Sequence, residues 1–367
     1  MIAGVRRASA ADIIADVVRP EIRALSAYQV ARAEGLIKLD AMENPHALPE
    51  AVRSRVDRAL SRVAINRYPD GGAELVKAAL SRAFGIPSSL SLLLGNGSDE
   101  LIHLIALALA KPGATMLAPD PSFVMYRLDA MFAGMRFAAV PLSADFDLDR
   151  DAMLAAIERD RPALVFIAYP NNPTGNLFVA SDVEAIIRAA SGLVVVDEAY
   201  YAFADASFLK RVPEFPNLLV LRTVSKVGMA GIRLGYAVAA PEWITELNKL
   251  RAPYNVNALT QAAAEALLAD TAWIAEQASM IREQRSRVAA ALARMPGLSV
   301  YPTQTNFVLV RVPDAGRWFE GLKARHILVK NVHGWHPLLA NCLRITIGTP
   351  AENNALLSAI SELGVSS

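Results

Sequence analysis

From residue 92 to residue 239 the chain alternates short apolar runs with longer stretches of mixed character at helical spacing. The runs at 92–94, 115–118, 137–141, 163–169, 193–197, 218–223 and 233–239 predict strands. Several are unbroken Val, Leu and Ile with no polar alternation. Such strands are buried on both faces of a sheet sandwiched by helices. The intervening stretches predict helices, among them 99–110, which reads as buried, and 181–190, with Ser181 as N-cap ahead of Glu184. This alternation predicts an α/β fold built on a mostly parallel sheet.

The pattern changes after about residue 258. Two Ala-rich helices follow, with Asp270 as the N-cap between them. The second carries Ile274, Ile281 and Val288 at seven-residue spacing, one apolar stripe on a charged rod. Strands are then expected at 305–312, 327–332 and 342–348, with a helix between the first two. Residues 1–36 read as helical, ending near Gly35. The chain thus divides into an N-terminal arm (1–36) packing with the small domain, a large domain (37–258) and a smaller α+β C-terminal domain (259–367).

Composition narrows the classes. Apolar residues make up 53% of the 367, enough for a sizeable core, and 37 basic against 36 acidic residues leave a net charge of +1. That balance argues against nucleic-acid or membrane-surface partners. The single cysteine, Cys342, excludes an internal disulfide framework and fits a reducing compartment. The N-terminus mixes Arg and Asp into its apolar residues, unlike a secretory signal, so the expected location is cytoplasmic.

Four segments at strand ends carry candidate chemistry. Tyr169-Pro170-Asn171-Asn172-Pro173-Thr174-Gly175 follows a strand and reads equally as a turn or as a ligand loop. Asp197 closes the run 193–196 and is followed by Glu198, Ala199 and Tyr200. A carboxylate there is either a helix cap or a functional acid. Thr223-Val224-Ser225-Lys226 follows the next strand. A lysine in such a place is usually a solvated charge, but Ser225 and the nearby Gly228, Gly231 and Arg233 suit a bound phosphate. Gly95-Asn96-Gly97-Ser98-Asp99-Glu100 feeds a helix N-terminus, a ready anion site. A dinucleotide fingerprint would require glycine where Glu100 stands.

Taken together, these motifs resemble the aspartate-aminotransferase superfamily of pyridoxal-5′-phosphate (PLP) enzymes of fold type I. More narrowly, the chain is similar to the histidinol-phosphate aminotransferase family, from Leu25-Ser26-Ala27-Tyr28 to Cys342-Leu343-Arg344 and beyond. The resemblance implies that Lys226 carries PLP as a Schiff base and shuttles the proton. It implies that Asp197 pairs with the pyridine nitrogen, and that Asn172 and Tyr200 hydrogen-bond the ring's O3′. Phe123 would stack on the ring, while Ser98, Asp99, Ser225 and Arg233 would hold the phosphate. Tyr68 would reach the phosphate of a neighbouring subunit, which implies a homodimer with shared sites. Tyr28, Lys330 and Arg344 would hold the substrate's phosphate.

Three departures stand out. Arg233 follows Lys226 by seven residues where many relatives have eight. Phe123 often is Tyr, and Lys330 stands where Arg is usual, a point charge in place of a bidentate fork. A lysine at 330 reads equally as a surface charge.

The resemblance implies amino transfer between glutamate (giving 2-oxoglutarate) and imidazole-acetol phosphate (giving histidinol phosphate), a step of histidine biosynthesis. The alternatives are an aromatic amino acid aminotransferase, a PLP-dependent decarboxylase of a phosphorylated amino acid, and a non-enzymatic PLP-binding regulator. No metal is expected. His333 and His336 are three apart but sit in a loop without further ligands. His103 and Cys342 read as core residues.

Overall fold

A computed structural model describes residues 9–27 and 31–365. The described strands, in chain order, are β1 Ile37–Leu39, β2 Ser91–Gly95, β3 Thr115–Asp120, β4 Arg136–Pro141, β5 Leu164–Ala168 and β6 Leu193–Asp197. They continue with β7 Leu218–Thr223, β8 Gly235–Ala239, β9 Ser299–Val300, β10 Phe307–Arg311, β11 Ile327–Asn331 and β12 Cys342–Thr346. Two sheets result. The larger has seven strands in the order β2-β8-β7-β6-β5-β3-β4, and β8 alone runs against the rest.

The unbroken apolar runs sort their side chains by parity. Val165, Ile167, Val194, Val196 and Val220 enter one core, with the helices Glu74–Phe84, Arg150–Asp160 and Ala180–Ala189. Leu164, Phe166, Leu193, Val195 and Leu219 enter another, under Ser98–Leu109 and Val124–Phe132. Both faces of the sheet are covered, so both register positions are apolar through the middle of these strands. The expected mostly parallel, helix-sandwiched sheet is what the chain forms.

The second sheet has five strands in the order β1-β11-β12-β10-β9. Ile281 and Val288 pack on it from the helix Ala272–Leu292, together with Trp318 and Leu322 from Ala315–Ala324. Ile274, at the start of the same long helix, packs instead into the core of the large sheet. The expected stripe therefore serves two cores.

Neither expected boundary coincides with a division between those cores. Residues 37–39, assigned to the large domain, form β1 and pair in parallel with β11 of the smaller sheet. The helix Ala258–Leu268, lying mostly beyond the expected boundary at 258, packs Ala263, Ala264 and Leu267 into the large sheet's core. Everything from Gly35 onward makes one compact unit, and the segment up to Glu34 makes another. Within that first segment the helices are Ala10–Val17, closed by a Ser9–Asp12 capping box, and Pro20–Arg23. Residues 25–27 and 31–34 are not helical, so the arm is less regular than expected.

Two expected caps lie elsewhere. The helix Ala180–Ala189 begins one residue before Ser181, which sits inside the first turn, and Val179 is its N-cap. Thr271 is the formal N-cap of Ala272–Leu292, although the Asp270 carboxylate does accept from the Ala272 N–H at 3.0 Å. Among the described residues no helix is long and apolar enough to cross a membrane.

The reversed strand β8 has one feature that governs the site. Gly235 lies in register between Gly95 and Thr223, directly under the start of helix Ser98–Leu109. A methyl group at Gly235 would lie 2.4 Å from the Ser98 nitrogen and 2.8 Å from its Cα. Both contacts are backbone and have little room to yield. Gly235→Ala should lower unfolding stability by about 1–3 kcal/mol through overpacking, read as a lower urea midpoint at unchanged m-value. An unchanged midpoint would mean that the helix start yields freely.

Candidate active site

A strand buried on both faces can present functional groups only beyond its ends. The parallel strands β3, β5, β6 and β7 finish at one edge of the large sheet, as does β2. Because β8 is reversed, it begins at that edge, and Arg233 just before it arrives there too. A cavity of about 220 Å³ opens at this edge. Its lining includes Ser98, Asp99, Phe123, Asn172, Asp197, Tyr200, Ser225, Lys226 and Arg233. The four motifs are thus brought together.

Asp197 ends β6, with Ala168 and Leu221 as its register partners on either side. The Tyr126 hydroxyl donates to its Oδ2 at 2.7 Å, and the Ala199 N–H donates to Oδ1 at 3.1 Å. Burial pushes the carboxyl up to about 6, while these two donors pull it the other way by stabilising the anion. Lys226 sits in the short 3-10 turn Ser225–Val227, and its ammonium donates to the Ala41 carbonyl at 3.3 Å. Burial, aided by the Arg344 charge, brings the amine down to about 8. A buried amine near neutrality is the form that attacks a carbonyl carbon.

Next to Asp197 stands a second buried carboxylate, Glu198. Arg222 of β7 donates to its Oε2 through Nε at 2.9 Å and Nη2 at 2.7 Å. Ser207 donates to the same oxygen at 2.9 Å, and the guanidinium lies 4.1 Å over the Tyr201 ring. Glu198 is therefore neutralised within the protein, and Asp197 keeps the cavity-facing role.

The cavity is also lined by the start of helix Ser98–Leu109, which is entered through Gly97 at φ 85°. A side chain on Gly97 would meet Arg233 Nη2 at 2.8 Å, so glycine lets the guanidinium lie against this loop. Arg233 adopts left-handed backbone (φ 50°), and its Nη2 stands 3.7 Å from Asp99 Oδ2. Ser225 Oγ accepts from Thr223 Oγ1 at 2.9 Å. N–H groups at a helix start, a hydroxyl and an arginine form an anion-binding set.

Arg344 is buried in β12. Its Nη1 donates to Asn172 Oδ1 at 2.6 Å, and its Nη2 donates to the Asp40 carbonyl at 3.1 Å. Lys330 is its register partner on β11, so the two cations share a face of the small sheet. The Lys330 ammonium lies 5.6 Å from the centre of the Trp335 ring.

Tyr68 stands apart. Its side chain is 81% exposed and stacks on Tyr254 at 4.6 Å, and it does not line the cavity. Tyr28 lies outside the described residues. His333 and His336 each accept a backbone N–H through Nδ1, and the described residues hold no group of three or more metal-ligating side chains. Cys342 is buried as expected. His103 is partnered with Asp129 at 2.9 Å but is half-exposed rather than a core residue.

Two contributors have no counterpart in the sequence reading. Tyr126 lies one helical turn beyond Phe123, and that spacing was the available signal. Asp40 and Ala41 supply the carbonyls that meet Arg344 and Lys226, and backbone acceptors leave no mark in a sequence.

A family described as "Aminotransferase class I and II" matches residues 34–360. A histidinol-phosphate aminotransferase of Chromobacterium violaceum is 56% identical over 352 residues, covering 96% of this chain and 99% of its own. Histidinol-phosphate aminotransferase 2 of Cupriavidus pinatubonensis is 53% identical, covering 95% and 97%. Among solved structures, histidinol-phosphate aminotransferase from Sinorhizobium meliloti in complex with pyridoxal-5′-phosphate superposes with a TM-score of 0.84. It is 27% identical and covers 95% of this chain and 97% of its own. L-threonine-O-3-phosphate decarboxylase from Porphyromonas gingivalis, with a TM-score of 0.78 at 21% identity, shares the fold.

The lowered amine gives a direct expectation. Borohydride-trapped labelling of Lys226 by pyridoxal phosphate, quantified by peptide mass, should accelerate about tenfold per pH unit and flatten above about 8. Acceleration continuing to pH 10 would mean that the amine is not shifted.

Proposed function

Because the chain belongs to the class I and II aminotransferases, and within them to the histidinol-phosphate aminotransferases, we propose that it uses PLP to move an amino group between glutamate and imidazole-acetol phosphate. The products are 2-oxoglutarate and histidinol phosphate, which places the reaction in histidine biosynthesis. The observation that carries this reading is the convergence of the Lys226 amine, the Asp197 carboxylate, Asn172 and Tyr200 on one cavity with an anion-binding set in its lining.

The donor set fits the cofactor group by group. Lys226 would hold the aldehyde carbon, Asp197 the ring nitrogen, and Asn172 and Tyr200 the O3′ oxygen. Phe123 would cover the ring face. Ser98, Asp99, Ser225 and Arg233 would hold the phosphate. When bound, PLP supplies an electron sink, its protonated ring delocalising the electron pair left as the substrate's Cα–H bond breaks.

The chain's own residues do the rest. Asp197 would keep the ring nitrogen protonated. The Lys226 amine, which would hold the cofactor, is also the group that would carry the substrate's Cα proton. Arg344 and Lys330, on one face of the small sheet, would share the substrate's phosphate, with Tyr28 as a third ligand. Two cations suit a group carrying nearly two negative charges. In glutamate's half of the reaction, Arg344 would take the carboxylate.

The exposed Tyr68, braced by Tyr254, would extend to the phosphate of a second subunit's cofactor. The assembly would then be a homodimer with shared sites, and a gel-filtration mass of one chain at working concentration would refute it.

The decisive experiment is single-turnover loss of the bound cofactor's absorbance band with histidinol phosphate, phenylalanine and threonine phosphate in parallel. Histidinol phosphate should react fastest. Faster reaction of phenylalanine would make the protein an aromatic aminotransferase, and carbon dioxide released from threonine phosphate would make it a decarboxylase. Lys226→Ala should lower kcat by about 10²–10⁴-fold or more. Lys330→Ala should raise KM for histidinol phosphate about tenfold with kcat nearly unchanged, and an unchanged KM would remove Lys330 from the site.

A further inference from the structure

Tyr126 lines the cavity and bonds Asp197, yet no role has been given to it so far. The side chain is 1% exposed. Its hydroxyl donates to Asp197 Oδ2 at 2.7 Å, its ring stacks on Phe166 of β5 at 4.4 Å, and its edge meets Phe123 at 5.6 Å in a T-shaped contact. The ring is thus clamped between the sheet and the residue that covers the cofactor face, leaving the hydroxyl one direction in which to donate.

We propose that Tyr126 is a positioning residue that fixes the Asp197 carboxylate and keeps it ionised toward the cofactor's ring nitrogen. The inference rests on the aminotransferase reading above, and it deepens that reading.

The physical case starts from burial. A carboxylate at the end of an apolar strand is driven toward its neutral form, and a neutral acid cannot keep a pyridine nitrogen protonated. The groups facing Asp197 work in different directions. Asp99, at the start of helix Ser98–Leu109, and Glu198, on its own segment, disfavour its charge, although Arg222 already takes up that of Glu198. Tyr200, Lys226 and Arg233 line the same cavity. Two groups of the described residues donate to the carboxylate: the Ala199 N–H, which is part of the same turn, and the Tyr126 hydroxyl, which comes from a different helix. The phenol does not compete for the charge, because burial and the neighbouring carboxylate hold its own pKa well above the usual tyrosine value. It therefore remains a donor throughout the working pH range. Orientation follows from the same bond: with Oδ2 tied to helix Val124–Phe132 and Oδ1 tied to residue 199, the carboxylate plane cannot rotate.

The test compares wild type, Tyr126→Phe, Asp197→Asn and the double variant. Tyr126→Phe keeps the ring and its stacking, and urea unfolding verifies that each variant folds. In cofactor-free protein labelled with ¹³C at Asp carboxyls, the Asp197 titration midpoint should move to higher pH in Tyr126→Phe. PLP affinity should weaken about tenfold, the scale of one lost hydrogen bond to a charged group. In the loaded enzyme kcat should fall about ten- to hundredfold, with KM for both substrates within about twofold. In the Asp197→Asn background the Tyr126→Phe change should cost little more, because the two residues act as one unit. An unmoved Asp197 titration, or losses that add in full, would overturn the proposal and leave Tyr126 as a packing residue. Failure of wild type to bind PLP at all would instead sink the aminotransferase reading, and the Asp197 titration would still decide the Tyr126 link.

Discussion

The constraint that shapes this molecule is double-sided burial of its central sheet. Val194, Val195 and Val196 point to alternate faces, and both faces are closed by helices. No polar side chain can stand along such a strand without losing its water. The first position where a charge is tolerable is the end, where Asp197 sits with two donors already in place. Function is confined to one edge because the rest of the sheet excludes it.

That confinement also tunes the chemistry. The same burial that raises the Asp197 carboxyl lowers the Lys226 amine, so each approaches the pH at which it can exchange a proton or attack a carbon. The two shifts bear on stability with definite signs. Asp197, with a raised folded-state pKa, favours the cofactor-free fold below about 4 and loses that contribution as pH rises through about 6. Lys226, with a lowered one, burdens the fold below about 8 and is relieved as pH rises toward its ordinary value of 10.5. At neutral pH both groups therefore sit in their costly ionised forms, a tension that a cofactor contacting both would relieve.

How much of this was legible depended on how local the cause was. Most strands of the large sheet announce themselves because each is a run of side chains with one environment, buried, whereas the edge strand β4 mixes buried and exposed positions. Strands β1 and β9, with three and two residues, have no run to read and exist because β11 and β10 offer them edges. Lys226, Asp197 and Asn172 were visible as residue types placed after strands. The bond between Arg344 and Asn172, which joins residues 172 positions apart, was not. Nor was Tyr126, whose importance lies in where its hydroxyl points. The division after Glu34 lies two residues from the expected boundary at 36, and near 258 composition changes whereas core membership follows packing.

The long helix Ala272–Leu292 has its first turns seated beside the large sheet, through Trp273 and Ile274, and its later turns beside the small one, through Ile281, Val288 and Leu292. A rod set into two cores is a shared rafter: neither half can lose its packing without loosening a support of the other. The two sheets are thereby coupled through one helix, so a substitution that loosens either end of the rod is felt in both cores.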